Sequence, residues 1–385
     1  MPITNKIKRK FNFGSKKISR PLRKKLIIGG FVLFLLIIIL SSVHYWQYKN
    51  YTVEISDTGE NTLAYSYYPV DGNILKCASD SSILMDRKNE TIWQIEYSMS
   101  DAKVDTCGNL AVIYDKDATR VVVCDKSGQI GTFTTELPIV RAEVSENGNV
   151  AVLTDDGSRA EINYYDKSGD VIATIKTTMA SDGYPMDIAL SDDGMDLAVS
   201  YLTFVQGVST SNVIFYDFGV DGQSASNNIT GSFSYSDNII PDIEYMSGSR
   251  FAAFGARQIT VYKCGRSVEE CSMIKLEDSA QSVFASEKCF GYVMQGNDYS
   301  GHEIVVYNCN GSEKCRITTD FSYTSIEAYD DRIMFYNRSE IQVYALSGVL
   351  KFDGKTDYLI REAEPLGGNR YAIAASDGYY VIRAY

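Results

Sequence analysis

Eight copies of one short strand-and-turn pattern, about 42 residues apart, limit this 385-residue chain to very few folds. The pattern is apolar-x-apolar-Tyr followed by a polar turn. Clear copies are Val121-Val-Val-Cys-Asp-Lys-Ser-Gly128, Ile162-Asn-Tyr-Tyr-Asp-Lys-Ser-Gly169, Val213-Ile-Phe-Tyr-Asp-Phe218, Ile259-Thr-Val-Tyr-Lys263, Ile304-Val-Val-Tyr-Asn308 and Ile341-Gln-Val-Tyr-Ala345. Weaker copies stand at Ile83-Leu-Met-Asp86 and Tyr379-Tyr-Val-Ile382. The fourth positions fall at 86, 124, 165, 216, 262, 307, 344 and 382, a spacing that matches one four-stranded propeller blade. Between copies the apolar period is two and the breakers are Gly, Asp, Asn and Ser, as strands and hairpins require. The expectation is an all-β, eight-bladed β-propeller over residues 51–385, with seven blades as the alternative. Tyr51-Thr-Val-Glu-Ile55 is a spare strand, and the last blade has only three before Tyr385; pairing the two would close the ring.

Ahead of the repeat lies a different chemistry. Leu26 to Val43 are 18 residues without a charge, about 27 Å as a helix, close to the thickness of a bilayer core. Tyr45, Trp46 and Tyr48 follow as an interfacial belt would. Residues 1–25 hold ten of the 37 Lys and Arg and no acid, which by the positive-inside rule keeps them cytoplasmic. The expected order is a basic tail over 1–25, one transmembrane helix over 26–46, and an extracytoplasmic propeller. A cleavable signal peptide fits less well, because Leu40-Ser41-Ser42 is a poor cleavage site. The other 27 basic residues face 49 acidic ones, so the body carries a net −22 and repels phosphate backbones. Nucleic acid is therefore not an expected partner.

Two histidines, His44 and His302, leave little room for triad chemistry or a His-based zinc site. No Gly-rich loop cradles a phosphate. Carboxylates are plentiful. Aligned blades place Lys103, Arg141, Glu143, Asp187, Asp242, Glu244, Glu327, Glu362 and Glu364 on the innermost strands, facing the central channel. Grouped acids raise one another's pKa unless a cation relieves them, so a hard cation such as calcium, or a cationic ligand group, is one expectation for the channel mouth. Blade four departs most from the repeat, with Tyr184, Pro185 and Asp187, long strands around Gln206-Gly-Val-Ser-Thr-Ser-Asn212 and a polar connection at Gln223–Asn238. The ligand-binding candidates are accordingly Tyr184, Asp187, Arg141, Glu143, Asp242, Glu244, Glu327 and Glu364. The repeated Tyr165, Tyr216, Tyr262, Tyr307 and Tyr344 read as packing between blades.

Of eight cysteines, two pairs are close in sequence, Cys264/Cys271 and Cys309/Cys315, and are expected to staple turns in an exported domain. Cys107–Cys124 is a candidate third bridge and Cys77 a free core thiol. Five Asn-x-Ser/Thr sequons (Asn50, Asn89, Asn228, Asn310, Asn337) are unremarkable in a chain this rich in Asn, Ser and Thr.

Leu190-Ser-Asp-Asp-Gly-Met-Asp-Leu-Ala-Val-Ser200 resembles the Ser-Pro-Asp-Gly-x-x-Leu-Ala turn of TolB-like and WD40-like propellers, with Asp192 in place of proline. Ser181-Asp-Gly-Tyr-Pro-Met-Asp-Ile-Ala-Leu-Ser191, Val199-Ser-Tyr-Leu202, Asn212-Val-Ile-Phe-Tyr-Asp-Phe-Gly219 and Gln281-Ser-Val-Phe284 are similar to an uncharacterised family of membrane-anchored bacterial propellers, a domain of unknown function. That resemblance implies topology and fold, and brings no activity. The functional expectation is a tethered binding or scaffold module for an envelope protein, peptide or polysaccharide. The alternatives are a carbohydrate-active hydrolase or lyase using channel carboxylates, or a sensor signalling through a partner.

Overall fold

The computed structural model describes residues 31–32, 34, 45–58, 64–178, 183–220, 222–247, 249–296 and 301–385. The chain divides into two compact units, Met1–Trp46 and Gln47–Tyr385. Most of the first unit, including nearly all of the expected tail and membrane span, lies outside the described residues. No helix among the described residues is long and apolar enough to cross a membrane.

Among its described residues the second unit contains thirty-two strands, β1–β32 in chain order, arranged as eight four-stranded antiparallel sheets. Seven sheets take four consecutive strands each, over residues 66–96, 102–134, 139–177, 184–236, 242–275, 282–319 and 325–355. The eighth, over 360–384, has only three, and β1 (Tyr51–Asp57) supplies its outer strand by pairing with β32 (Tyr379–Ala384). Eight blades, closed as the spare strand suggested, settle the count.

The period-two pattern explains why these sheets form a ring. In β8 (Arg120–Asp125), Val121 and Val123 turn toward blade three while Val122 and Cys124 turn toward blade one. Every seam has its own apolar cluster built this way, including the seam between blades eight and one, where Tyr67 and Ile74 meet Tyr379 and Val381. Both faces of each middle strand are therefore buried, which accounts for runs such as Leu110–Asp115 with no exposed residue.

The repeated tyrosines pack into the preceding seam, Tyr165 against blade two and Tyr262 against blade four. Each also marks a β-bulge: register slips between Tyr164 and Tyr165, Phe215 and Tyr216, Val261 and Tyr262, Val306 and Tyr307, and Val343 and Tyr344. The extra residue sits on the outer strand, where a bulge twists the open edge and blunts it for unwanted pairing. In blade one the slip falls at Leu84/Met85, so Met85 rather than Asp86 holds the repeated position. Ahead of β1, Tyr48 forms a parallel bridge to Phe352 on the outer strand of blade seven, strapping the last seam.

Candidate functional site

The innermost strands begin on one face of the ring, here termed the mouth face; the turns joining first to second and third to fourth strands emerge on the other. Register places Asp105, Glu143, Glu244, Glu327 and Glu364 opposite Val112, Ala151, Ala252, Met334 and Ala372, the same position in five blades. Tyr68, Ala189 and Phe284 fill it in the other three. Nearer the mouth stand Lys103, Arg141, Asp187, Asp242 and Glu362.

Arg141 organises the acids of blades two to five. Its Nε and Nη2 lie 2.9 and 2.8 Å from Glu143 Oε1, and its Nη1 lies 3.0 Å from Asp187 Oδ1. The Arg141 side chain keeps 41% exposure, whereas the Glu143 and Asp187 side chains keep 12% and 4%. The second oxygens of these acids reach across seams. Asp105 accepts the Val144 N–H at 2.8 Å, Glu143 the Leu190 N–H at 2.8 Å, and Asp187 the Ile243 N–H at 3.0 Å. Three consecutive blades are thus stitched acid-to-amide, each to the next. Asp105 was absent from the sequence candidates. Aligning the blades on their first turn rather than on the repeat would have found it.

Burial pushes Asp187 up to about 6 and Glu244 up to about 8, with Arg141 relieving both and neighbouring carboxylates adding to the rise. Glu327, Glu362 and Glu364 form a second group in blades seven and eight. Burial, then Glu327 and Glu362, push Glu364 up to about 8. Glu364 therefore holds its proton in the folded state to a pH at which the unfolded chain has released it. Stability from this group is full below the ordinary glutamate range and declines as pH rises toward 8, by about 1.4 kcal/mol per pH unit per proton. Melting curves from pH 5 to 8.5 should show this slope, and Glu364→Gln should flatten it; equal slopes would refute the assignment.

Among the described residues, no group of three or more His, Cys, Asp or Glu side chains is arranged to hold a metal ion. Of the acids that prompted the calcium expectation, Glu143 and Asp187 are engaged by Arg141 and by backbone amides of the next blade. Tyr184 stands apart from them, 36% exposed and bonded to Asp155. Lys103 pairs with Asp101 at 2.9 Å and lines, with Lys116, Arg141, Asp105 and Asp187, a cavity of 390 Å³ at the mouth. His302 contacts Gln281 at 2.9 Å and Tyr323 edge-on.

Blade four projects beyond this mouth. Its β15 (Asp196–Val205) and β16 (Val208–Asp217) are ten residues each and turn at Gln206 and Gly207, both with positive φ (52° and 81°). That is the backbone of a tight two-residue hairpin matched to strand twist. Phe204 and Val208, 71% and 42% exposed, stand at the tip.

All eight cysteines are free thiols. Cys264 and Cys271 act on one another but are not bonded, and the pleat turns Cys309 and Cys315 to opposite seams. Cys107 packs toward blade three and Cys124 toward blade one; Cys309 faces the blade five seam and Cys315 the blade seven seam. Cys264 is buried against blade four, while Cys271 is exposed beside Arg250. Cys77 is buried and bonded to Tyr97, as a core thiol should be.

Residues 44–383 match the model of a family of unknown function, DUF5711. The chain belongs to that family. Comparison with curated proteins finds no match. Among solved structures, the DUF5711 chain is similar to Sqt1 from Chaetomium thermophilum (TM-score 0.58, 11% identity, 87% of this chain and 100% of that one). It is also similar to BamB from Moraxella catarrhalis (TM-score 0.55, 12% identity, 87% of this chain and 100% of that one). At such identities the likeness extends to the fold alone.

Proposed function

We propose that this DUF5711 protein is a binding or scaffold module, tethered to a membrane through residues 26–46, that docks a polypeptide partner on its mouth face. The observation that carries this reading is the blade-four hairpin, which holds Phe204 and Val208 out in solvent on a rigid two-stranded arm. An aromatic exposed at 71% forgoes its burial energy in the free protein and recovers it against a partner. The charged cavity on the same face, with cations and acids side by side, suits the polar rim of a protein interface. A closed ring supports the arm because each blade is fixed on both faces, so the hairpin docks without ordering first. The hydrolase alternative requires a pair of carboxylates at liberty to act on substrate. Glu143 and Asp187 are held by Arg141 and by backbone amides of the next blade.

A photo-reactive residue placed at 204 in the full-length protein, irradiated in the cells that make it, should yield one dominant protein adduct. Phe204→Ala should reduce capture of that protein about tenfold or more, the effect of losing an aromatic anchor. Adducts confined to copies of the chain itself, or none above those from a probe on blade one's outer strand, would remove the mouth-face reading.

A further inference from the structure

Two thiols from different blades, Cys271 and Cys309, stand near the same cation, Arg250. Cys271 is the extra residue of the blade-five bulge, between Glu270 and Ser272, which pair with Tyr262 and Val261. Its exposed Sγ lies 2.9 Å from Arg250 Nη1. Across the seam, the blade-six turn folds onto this strand, and Gly311 sits so close to Ser272 that any Cβ there would collide with it. The same turn carries Cys309, which lines a cavity with Arg250, Lys288 and Lys314. Burial raises the Cys309 thiol, and Arg250 and Lys314 act in the opposite direction. Arg250 thus acts on thiols of adjacent blades, Cys271 and Cys309, and on the buried Cys264 behind them, beside an open pocket in which three cations outnumber Glu287 and Asp331.

We infer that Cys271 and Cys309 are a redox pair that closes to a disulfide bridging blades five and six, with Arg250 beside the attacking sulfur. The oxidant is a disulfide, R–S–S–R, of a small thiol or an oxidoreductase. Cys271 thiolate attacks one of its sulfurs, forming a mixed disulfide and releasing one thiolate. Cys309 thiolate then attacks the Cys271 sulfur and expels the second. The protein gives up two electrons and two protons, the electrons reducing the incoming disulfide to two thiols. Arg250 must swing aside as the new bond replaces its contact with Cys271. This seam lies on the turn face, away from the blade-four arm, so closure stiffens the ring without covering the docking surface.

The test is peptide mapping of the full-length protein in detergent after treatment with oxidised glutathione, with remaining thiols alkylated. The expected product is one cross-linked peptide pair carrying Cys271 and Cys309, and reducing it should lower the melting midpoint by ~3–6 °C. Cys271→Ser should leave Cys309 alkylated, whereas Cys264→Ser and Cys315→Ser should leave the linked pair intact. Recovery of Cys264–Cys271 or Cys309–Cys315 instead, or alkylation of both Cys271 and Cys309 in the oxidised wild type, would overturn the proposal. Arg250→Gln should slow closure several-fold, and an unchanged rate would overturn the part assigned to Arg250.

Discussion

Replacing Arg141 by Gln is expected to destabilise the propeller by about 3 kcal/mol near neutral pH, the largest effect of any single substitution lining the channel. The figure is the lower end for removing one member of a buried ion pair, chosen because Arg141 keeps 41% exposure and water screens part of its charge. The loss arises less from the guanidinium than from what it leaves behind. Asp187 and Glu143 remain almost fully enclosed, and each is needed to hold an amide of the following blade. Without the cation, their carboxyls shift further toward the neutral form, and a protonated acid is a weaker acceptor for those amides. The sign with pH follows. Asp187, already raised to about 6, should titrate higher in the variant, so the stability deficit should grow from pH 5 to pH 8. Urea unfolding of wild type and Arg141→Gln at both pH values checks this. A pH-independent deficit would mean that Arg141 contributes packing alone. Arg141→Gln with Glu143→Gln and Asp187→Asn should regain part of the loss, since amide side chains carry no charge to strand.

Much of this architecture was legible in the chain because one period serves every level. The spacing of the repeat fixed the blade, the alternation within each strand sent successive residues to opposite seams, and the tyrosine before each polar turn packs between blades. What the repeat could not convey was depth along the channel. Lys103 and Asp105 are two residues apart on one strand, so both satisfy the same alternation. Only the contact of Asp105 with Val144, a residue of the next blade, shows which one stitches the seam. Arg141 and Glu143 could be paired from sequence, being on the same face of one strand. Asp187 completes the pair from another blade, through a register slip between Pro185 and Asp187 that turns its carboxyl toward Arg141. The cysteines mislead for the same reason in reverse. Proximity in sequence suggests Cys264 with Cys271 and Cys309 with Cys315, but the pleat sends Cys309 and Cys315 to different seams, and Cys271 sits exposed at a bulge while Cys264 is buried.

Substituting Asp57 by Ala should weaken the ring at its closure, by about 3 kcal/mol, and the loss should be concentrated where the first strand meets the last. β1 is held at its bulge by Glu54, which lies 2.7 Å from Arg370 Nε and 2.5 Å from Arg383 Nε. At its end Asp57 bonds Lys76 of blade one at 2.8 Å. Lys76 is only 6% exposed, lying 5.8 and 5.5 Å from the rings of Tyr67 and Tyr379, which stack at 4.2 Å across the seam. The aromatic faces ease the burial of an ammonium but do not neutralise it. Removing Asp57 therefore leaves a cation enclosed without its counter-charge, and the asymmetry between breaking a pair and replacing it becomes measurable. Lys76→Met combined with Asp57→Ala should recover most of the loss, because a methionine fills the aromatic slot without a charge. If the double variant is no more stable than Asp57→Ala, the ion pair does not hold the seam. Hydrogen exchange locates the effect. In Asp57→Ala, amides of β1 and β32 should exchange faster while those of blades three to five stay protected, since a closed ring opens first at the one blade whose strands come from both ends of the sequence.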